Sequence, residues 1–223
     1  MQIEISYEKG EELRFLAHLE LMRAFERAVR RAKLPVEHSQ GFNPRPRIVH
    51  AAALGVGVTS ECERAAVRLL RSVPPSEVGR RLSEALPDGL RLRGVRELPP
   101  DAKPHYALLD RAEYTVQLRT GTMAVEALLE RTADLLGRDA VVVSRRKENG
   151  VREVDIRAMI VELSAPADDQ LRMELAAGQE AQAKPQEVLE ALGLHAPGQP
   201  LPRIHKVRHY QYRQHRRGAT RRR

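Results

Sequence analysis

The residues best able to do chemistry in this 223-residue chain fall in three places. The first is the run Leu16-Ala17-His18-Leu19-Glu20, followed by Arg23 and Arg27. In a helix Glu20, Arg23 and Arg27 follow i, i+3, i+7 spacing and share a face. His18 titrates near neutral pH, so it can act as a general base, for example in metal-independent RNA cleavage. The second is the loop Ser39-Gln40-Gly41-Phe42-Asn43-Pro44-Arg45-Pro46-Arg47. Two prolines stiffen it, Gly41 permits unusual backbone angles, and Asn43, Arg45 and Arg47 offer one amide and two guanidinium groups. If the loop folds back over the helix start, the result is a basic pocket suited to phosphate or RNA backbone. The same residues also describe a solvated helix face beside a loop that only shapes a turn.

The third place is the C-terminal stretch from Arg203, which carries nine of the 38 basic residues and no acidic one. The rest of the chain is left with 29 basic against 30 acidic residues, a near-neutral body with a cationic tail. Such a tail binds polyanions by counterion release. Arg208, Arg213, Arg216 and Arg217 are interleaved with Tyr210 and Tyr212, so phosphate contacts and base stacking are both available. A solubilising end is the plainer alternative. Neither half shows an aromatic RNP motif, which argues against a standard RNA-recognition module.

Other chemistries are excluded or unsupported. One cysteine, Cys62, cannot form a disulfide within the chain or hold an iron–sulfur cluster alone. Nothing near it resembles an activating constellation. There is no Walker loop, no Gly-x-Gly-x-x-Gly and no paired-histidine metal motif, so no cofactor or metal is expected in this chain. No apolar run approaches the ~20 residues of a membrane span, and the first residues show no secretory pattern. The expected location is cytoplasmic.

The elements that must position these residues follow from hydrophobic period. Ile3, Ile5 and Tyr7 alternate as a strand. Leu16, Leu19, Met22, Phe25, Val29 and Ala32 line one helical face, and Pro35 ends that helix. Strands are expected at Ile48–Val49, over 63–70 and from Leu90 to Arg96, with a helix opening at Pro74-Pro75. The second half repeats the plan: a strand at 114–118, a helix through Leu128 and Leu135, and a strand at 140–144. A hairpin turn at 148–150 leads to a continuous strand from Val151 to Leu163. A strand at 171–175, a helix opening at Pro185 and a strand from Ile204 to Tyr212 complete it. In that last strand Lys206, Arg208, Tyr210 and Tyr212 are read on one side, with His205, Val207, His209 and Gln211 on the other. The expected fold is α+β: two tandem ferredoxin-like (βαββαβ) domains with antiparallel sheets, plus a basic C-terminal tail. The expected boundaries are 1–98, a linker at 99–110, 111–213, and a tail at 214–223.

The run Arg14-Phe15-Leu16-Ala17-His18-Leu19-Glu20-Leu21-Met22-Arg23, with Glu26-Arg27-Ala28, Arg30-Arg31-Ala32, Leu34-Pro35 and Ser39-Gln40-Gly41-Phe42-Asn43-Pro44, resembles the radical-SAM-linked family of bacterial proteins. Members are encoded next to, or fused to, a radical-SAM protein. The resemblance therefore implies a radical-SAM protein as partner and an accessory role rather than self-sufficient catalysis. The chain departs from the usual pattern at two points. The loop commonly reads Asn-Pro-His-Pro-Lys, and here Arg45 replaces the histidine and Arg47 the lysine, which keeps a cationic role and removes a histidine one. Glu20 replaces the usual aspartate and keeps the carboxylate. Three readings stay open: an RNA-binding accessory module, an endoribonuclease using His18, and a protein–protein adaptor.

Overall fold

Alternating apolar residues make β1 (Gln2–Lys9), whose Ile3, Ile5 and Tyr7 are fully buried. The period then changes to helical in α1 (His18–Arg31), which packs Leu21, Ala24, Phe25, Ala28 and Val29 inward. In this computed structural model, residues 1–51, 53–99, 108–147, 150–178 and 181–212 are described. After α1 come β2 (Ile48–His50), β3 (Val58–Arg68), α2 (Pro75–Ala85) and β4 (Leu90–Leu98). The second half runs β5 (Arg111–Gln117), α3 (Val125–Gly137), β6 (Val142–Lys147), β7 (Gly150–Asp155), β8 (Ile160–Ala167), β9 (Gln170–Ala176), α4 (Pro185–Ala191) and β10 (Arg203–Tyr210). The molecule is thus α+β, with antiparallel-rich sheets. The linker expected at 99–110 lies mostly outside the described residues, as does most of the turn at 148–150.

One eight-stranded sheet runs through both halves in the order β4-β1-β3-β10-β5-β9-β8, with β2 also pairing β3. Its first half reads β4-β1-β3-β2 and its second β10-β5-β9-β8, with antiparallel neighbours throughout each. The halves are joined by a parallel pairing of β3 with β10 (Ile204↔Val58, His205↔Thr59, Lys206↔Ser60). This parallel seam departs from the expectation of purely antiparallel sheets. The expected continuous strand from Val151 to Leu163 is also broken, by a single 3-10 turn at Arg157–Met159. Asp155 causes the break: its Oδ1 accepts from Val141 N–H (2.8 Å) and Arg157 N–H (2.9 Å), which turns the chain out of the strand. The β6–β7 hairpin therefore forms its own two-stranded sheet.

Two hydrophobic clusters lie on the same side of the large sheet. One gathers Ile3, Ile5, Tyr7, Phe25, Val78 and Leu82 under α1 and α2. The other gathers Tyr114, Val116, Leu128, Leu171 and Val188 under α3 and α4. Two bulges decide what else faces inward. Along β3, Glu63 opposes Tyr7 and Ser60 opposes Lys9, so three residues of β3 span two of β1. Along β10, Lys206 opposes Tyr114 while Arg208 opposes Glu113. Each bulge breaks the period of two, so Ser60 and Glu63 share the inner face, and so do Lys206 and His209. The sequence alternation placing Lys206 with Arg208 and His209 opposite is therefore corrected: the extra residue, Val207, resets it.

The seam holds an ion pair between Lys206 Nζ and Glu63 Oε1, with both side chains 4% exposed. The ammonium beside Glu63 holds its carboxyl below the usual range despite burial, and Lys206 is raised in turn. Arg14, itself buried, closes the same seam by donating from Nε to Gly57 O (2.9 Å) and from Nη2 to Leu201 O (3.1 Å). Removing one partner of a buried pair strands the other, at a cost of about 3–5 kcal/mol, whereas replacing both with apolar groups is often neutral. Lys206→Met is therefore expected to lower unfolding stability by about 3–5 kcal/mol in urea titrations. Glu63→Leu/Lys206→Met is expected to recover most of that loss.

Candidate nucleic-acid interface

The structure separates the residues that the sequence groups around α1. His18 is the first residue of α1, and the loop 38–47 follows the helix's far end. The helix of fourteen residues is about 20 Å long, and β2 leads back from the loop so that His50 meets His18. Among the described residues no hydrogen bond or ion pair ties Asn43, Arg45 or Arg47 to His18 or Glu20, and Arg47 pairs with Glu37. Glu20 instead caps the helix, its Oε2 accepting from Ala17 N–H (2.9 Å).

His18 belongs to a different cluster. Its ring meets His50 edge-on at 6.2 Å between centroids, and His50 also packs against Phe25 at 5.2 Å. The Tyr7 hydroxyl lies 3.2 Å from His50 Nδ1. Burial, with a contribution from Glu63, keeps the Tyr7 phenol protonated, so it donates to that nitrogen. His18 Nδ1 and His50 Nε2 are both buried with no hydrogen-bond partner among the described residues. Burial pushes the His50 imidazole down to about 4 and lowers His18 too. Both rings are therefore neutral at pH 7, and the lowering makes each a weaker base than a free imidazole. His50 is not legible from sequence, because its strand β2 is three residues long and shows no alternation.

The loop is closed on itself at its base. Ser39 N–H donates to Arg45 O (2.8 Å) and Arg45 N–H donates to Ser39 Oγ (3.0 Å). Gly41 sits at φ +125°, open only to glycine, and lets the chain reverse. Arg47 pairs with Glu37 (3.1 Å), and Glu37 also faces Arg68 at the end of β3 (3.8 Å). Phe42 is wholly exposed at the loop tip, at 106%. A bare aromatic ring between Gly41 and Asn43, beside Arg45, is an available stacking platform. The signal for it in the sequence is a phenylalanine between Gly and Asn-Pro with no periodic core to join.

Arg23 and Arg27 are exposed on the outer face of α1. Their side chains and that of Arg45 make no hydrogen bond or ion pair among the described residues. Arg208 and Tyr210 lie on the sheet face opposite the helices. Arg208 pairs with Glu113 (3.2 Å) and stacks over the Tyr210 ring at 5.0 Å. Burial and the Glu174 carboxylate it donates to keep the Tyr210 phenol protonated. Tyr212 is half exposed, with Arg111 over its ring at 5.5 Å. Arg213, Arg216 and Arg217 lie outside the described residues. Lys206, one of the nine basic residues from Arg203 onward, is buried in the seam against Glu63 and does not add to the exposed cations.

The parallel seam fixes where these groups go. Because β3 and β10 run the same way, the end of β10 points toward the end of β3, where Arg68 and Arg47 meet Glu37. The cationic loop and the start of the tail therefore leave from one end of the sheet. Elsewhere on the open face arginines are already neutralised: Arg64 and Arg96 converge on buried Glu4, and Arg93 on Glu8. No group of three or more potential metal ligands occurs among the described residues. No described helix is long and apolar enough to cross a membrane.

Two buried histidines make stability depend on pH. His50 and His209 are each pushed by burial down to about 4, against 6.5 in the unfolded chain. The unfolded state binds more protons in this window, so the contribution is full above pH 6.5 and is lost as pH falls toward 4. Each group adds a slope of about 1.4 kcal/mol per pH unit. Denaturation at pH 5 and pH 6 is expected to show that slope reduced by about 1.4 kcal/mol per unit in His50→Gln.

Solved structures provide low-identity matches. A chain of the crystal structure of a Cbf5-Nop10-Gar1 complex matches with TM-score 0.45 and 10% identity, over 93% of this chain and 48% of that one. The chain thus spans about half the length of that relative. The first two RRM domains of the yeast poly(U) binding protein Pub1 match with TM-score 0.21 and 9% identity, over 92% and 98% of the two chains. No curated protein matches. With its residues 2–185 covered by the family pattern, the chain belongs to the bacterial family described as "uncharacterized protein conserved in bacteria (DUF2344)".

Proposed function

We propose that this chain is an accessory RNA-binding module, acting in the cytoplasm with a radical-SAM protein in RNA or ribosome modification or processing. The observation that carries the RNA reading is that β10, from which the cationic C-terminal stretch continues, runs toward the end of the sheet that holds the Arg45/Arg47 loop. That end presents an exposed Phe42 and an unpaired Arg45, and it launches a tail containing Arg213, Arg216 and Arg217. Free guanidinium groups hold phosphates, and exposed rings stack unpaired bases, so single-stranded RNA is the matching ligand. The strand orders β4-β1-β3-β2 and β10-β5-β9-β8 support two tandem ferredoxin-like domains, 1–98 and 111–213. The radical-SAM partner rests on the helix and loop motif resemblance.

Binding of a labelled single-stranded RNA, measured from 50 to 300 mM salt, tests the reading. Each lost phosphate contact lowers the slope of log K against log salt by about 0.7. Arg45→Ala/Arg47→Ala is expected to lower it by about 1.4, and truncation after Tyr212 by more. Unchanged slopes in both variants would favour a protein–protein adaptor.

A second reading has one observation in its favour: the unpartnered, buried Nδ1 of His18 beside His50. In this reading His18 is the base of a metal-independent endoribonuclease. It predicts that His18→Ala abolishes RNA cleavage, followed on a sequencing gel, while binding is retained.

A further inference from the structure

A cavity of about 480 Å³ opens on the helix side of the seam, between the segment 53–56, the approach to α4 and the floor of the sheet. Its size is that of small-ligand sites in general, ~300–1,000 Å³. Leu54, Val56 and Ala183 give it apolar walls, while Tyr114, Lys206 and His209 come from the floor. Gln186 straps the two sides, its Nε2 donating to Val56 O (3.2 Å).

The floor is built in an unusual way. Lys206 and His209 are three residues apart and would normally face opposite sides of a strand. The bulge at Val207 brings both inward, where they are 3% and 7% exposed. The His209 Nε2–H donates to Ala177 O (3.3 Å), so the lone pair of the neutral ring is on Nδ1. That Nδ1 is buried and has no hydrogen-bond partner among the described residues. Leaving such an atom unmet is costly, and native structures rarely do so without a reason. Lys206 carries three N–H donors, and Glu63 is the carboxylate facing them. The cavity therefore combines apolar walls with a donor and an acceptor side by side.

We propose that this cavity receives one unstacked nucleobase of the bound RNA, with Lys206 Nζ donating to a base oxygen or ring nitrogen and His209 Nδ1 accepting from the neighbouring N–H. The inference rests on the RNA-binding reading above. Each base offers an acceptor next to an amino or imino donor on its pairing edge, and its flat apolar faces suit the walls. β10 ends at Tyr210, one residue past His209, so the C-terminal stretch is joined to the sheet beside the cavity floor. A base in an unpaired strand is the cheapest to extrude, since only stacking is lost.

The test uses the full-length protein and single-stranded RNA dodecamers, intact or with one abasic position scanned along the strand. In the wild type, removal of one particular base is expected to weaken binding about tenfold, the scale of a lost buried hydrogen bond. His209→Phe should bind intact RNA about tenfold more weakly and be indifferent to the abasic position. Gln186→Trp, which narrows the mouth from the surface, should behave in the same way and guards against misfolding of the buried variant. If folded Gln186→Trp and His209→Phe keep wild-type affinity for intact RNA and the abasic scan is flat, the cavity proposal is overturned while RNA binding stands. If no RNA binds in a salt-dependent manner, both the cavity proposal and the RNA-binding reading fall.

Discussion

The ion pair between Lys206 and Glu63 is the constraint on which the architecture turns. Two charges removed from water are tolerable only when they face each other, and here they come from residues 143 apart in sequence. Their meeting requires that β3 and β10 adopt one register. A slip of one residue would turn Lys206 to the open face and leave Glu63 alone in the core. Ordinary apolar pairing penalises such a slip less severely, because a misplaced valine costs far less than a stranded carboxylate. The pair thus selects the register of the seam, even though its net contribution to stability is small.

From that register the remaining arrangement follows. The seam makes one sheet of two halves, with α1, α2, α3 and α4 packed on one side. It also makes β3 and β10 run the same way, so Arg68, beside the loop after α1, and Tyr210, where β10 ends, both lie toward the same end of the sheet. On the inner side the same strands floor a cavity, whose polar groups are delivered by a bulge rather than by alternation. The arginine-closed turn at Gly57 and Leu201 reinforces the junction from its other end.

The arginines divide by partner. Arg14, Arg64, Arg96 and Arg145 are committed to carboxylates or backbone carbonyls, where they bridge strands or halves. Arg23, Arg27 and Arg45 are uncommitted, and Arg208 holds an exposed pair worth only ~0–1 kcal/mol, easily exchanged for phosphate. A net charge of +8 therefore overstates some regions and understates others. What matters for a polyanion is which cations remain free and whether they lie together.

Much was decided by sequence alone. Period two in Ile3, Ile5 and Tyr7, period 3.6 through Phe25 and Val29, and the prolines at 35, 75 and 185 specify where strands and helices begin and stop, because those signals are local. The cationic tail and the stiff Gly41–Pro46 loop are equally local. The tertiary structure alone decided three things: that His18 meets His50 and not the loop, that Lys206 is buried, and that His209 faces a cavity. Each depends on a contact between distant segments or on a bulge, and a bulge adds one residue without any change of composition to mark it. Alternation read along β10 was therefore correct up to Lys206 and inverted beyond Val207, since only the partner strands reveal where the ladder skips.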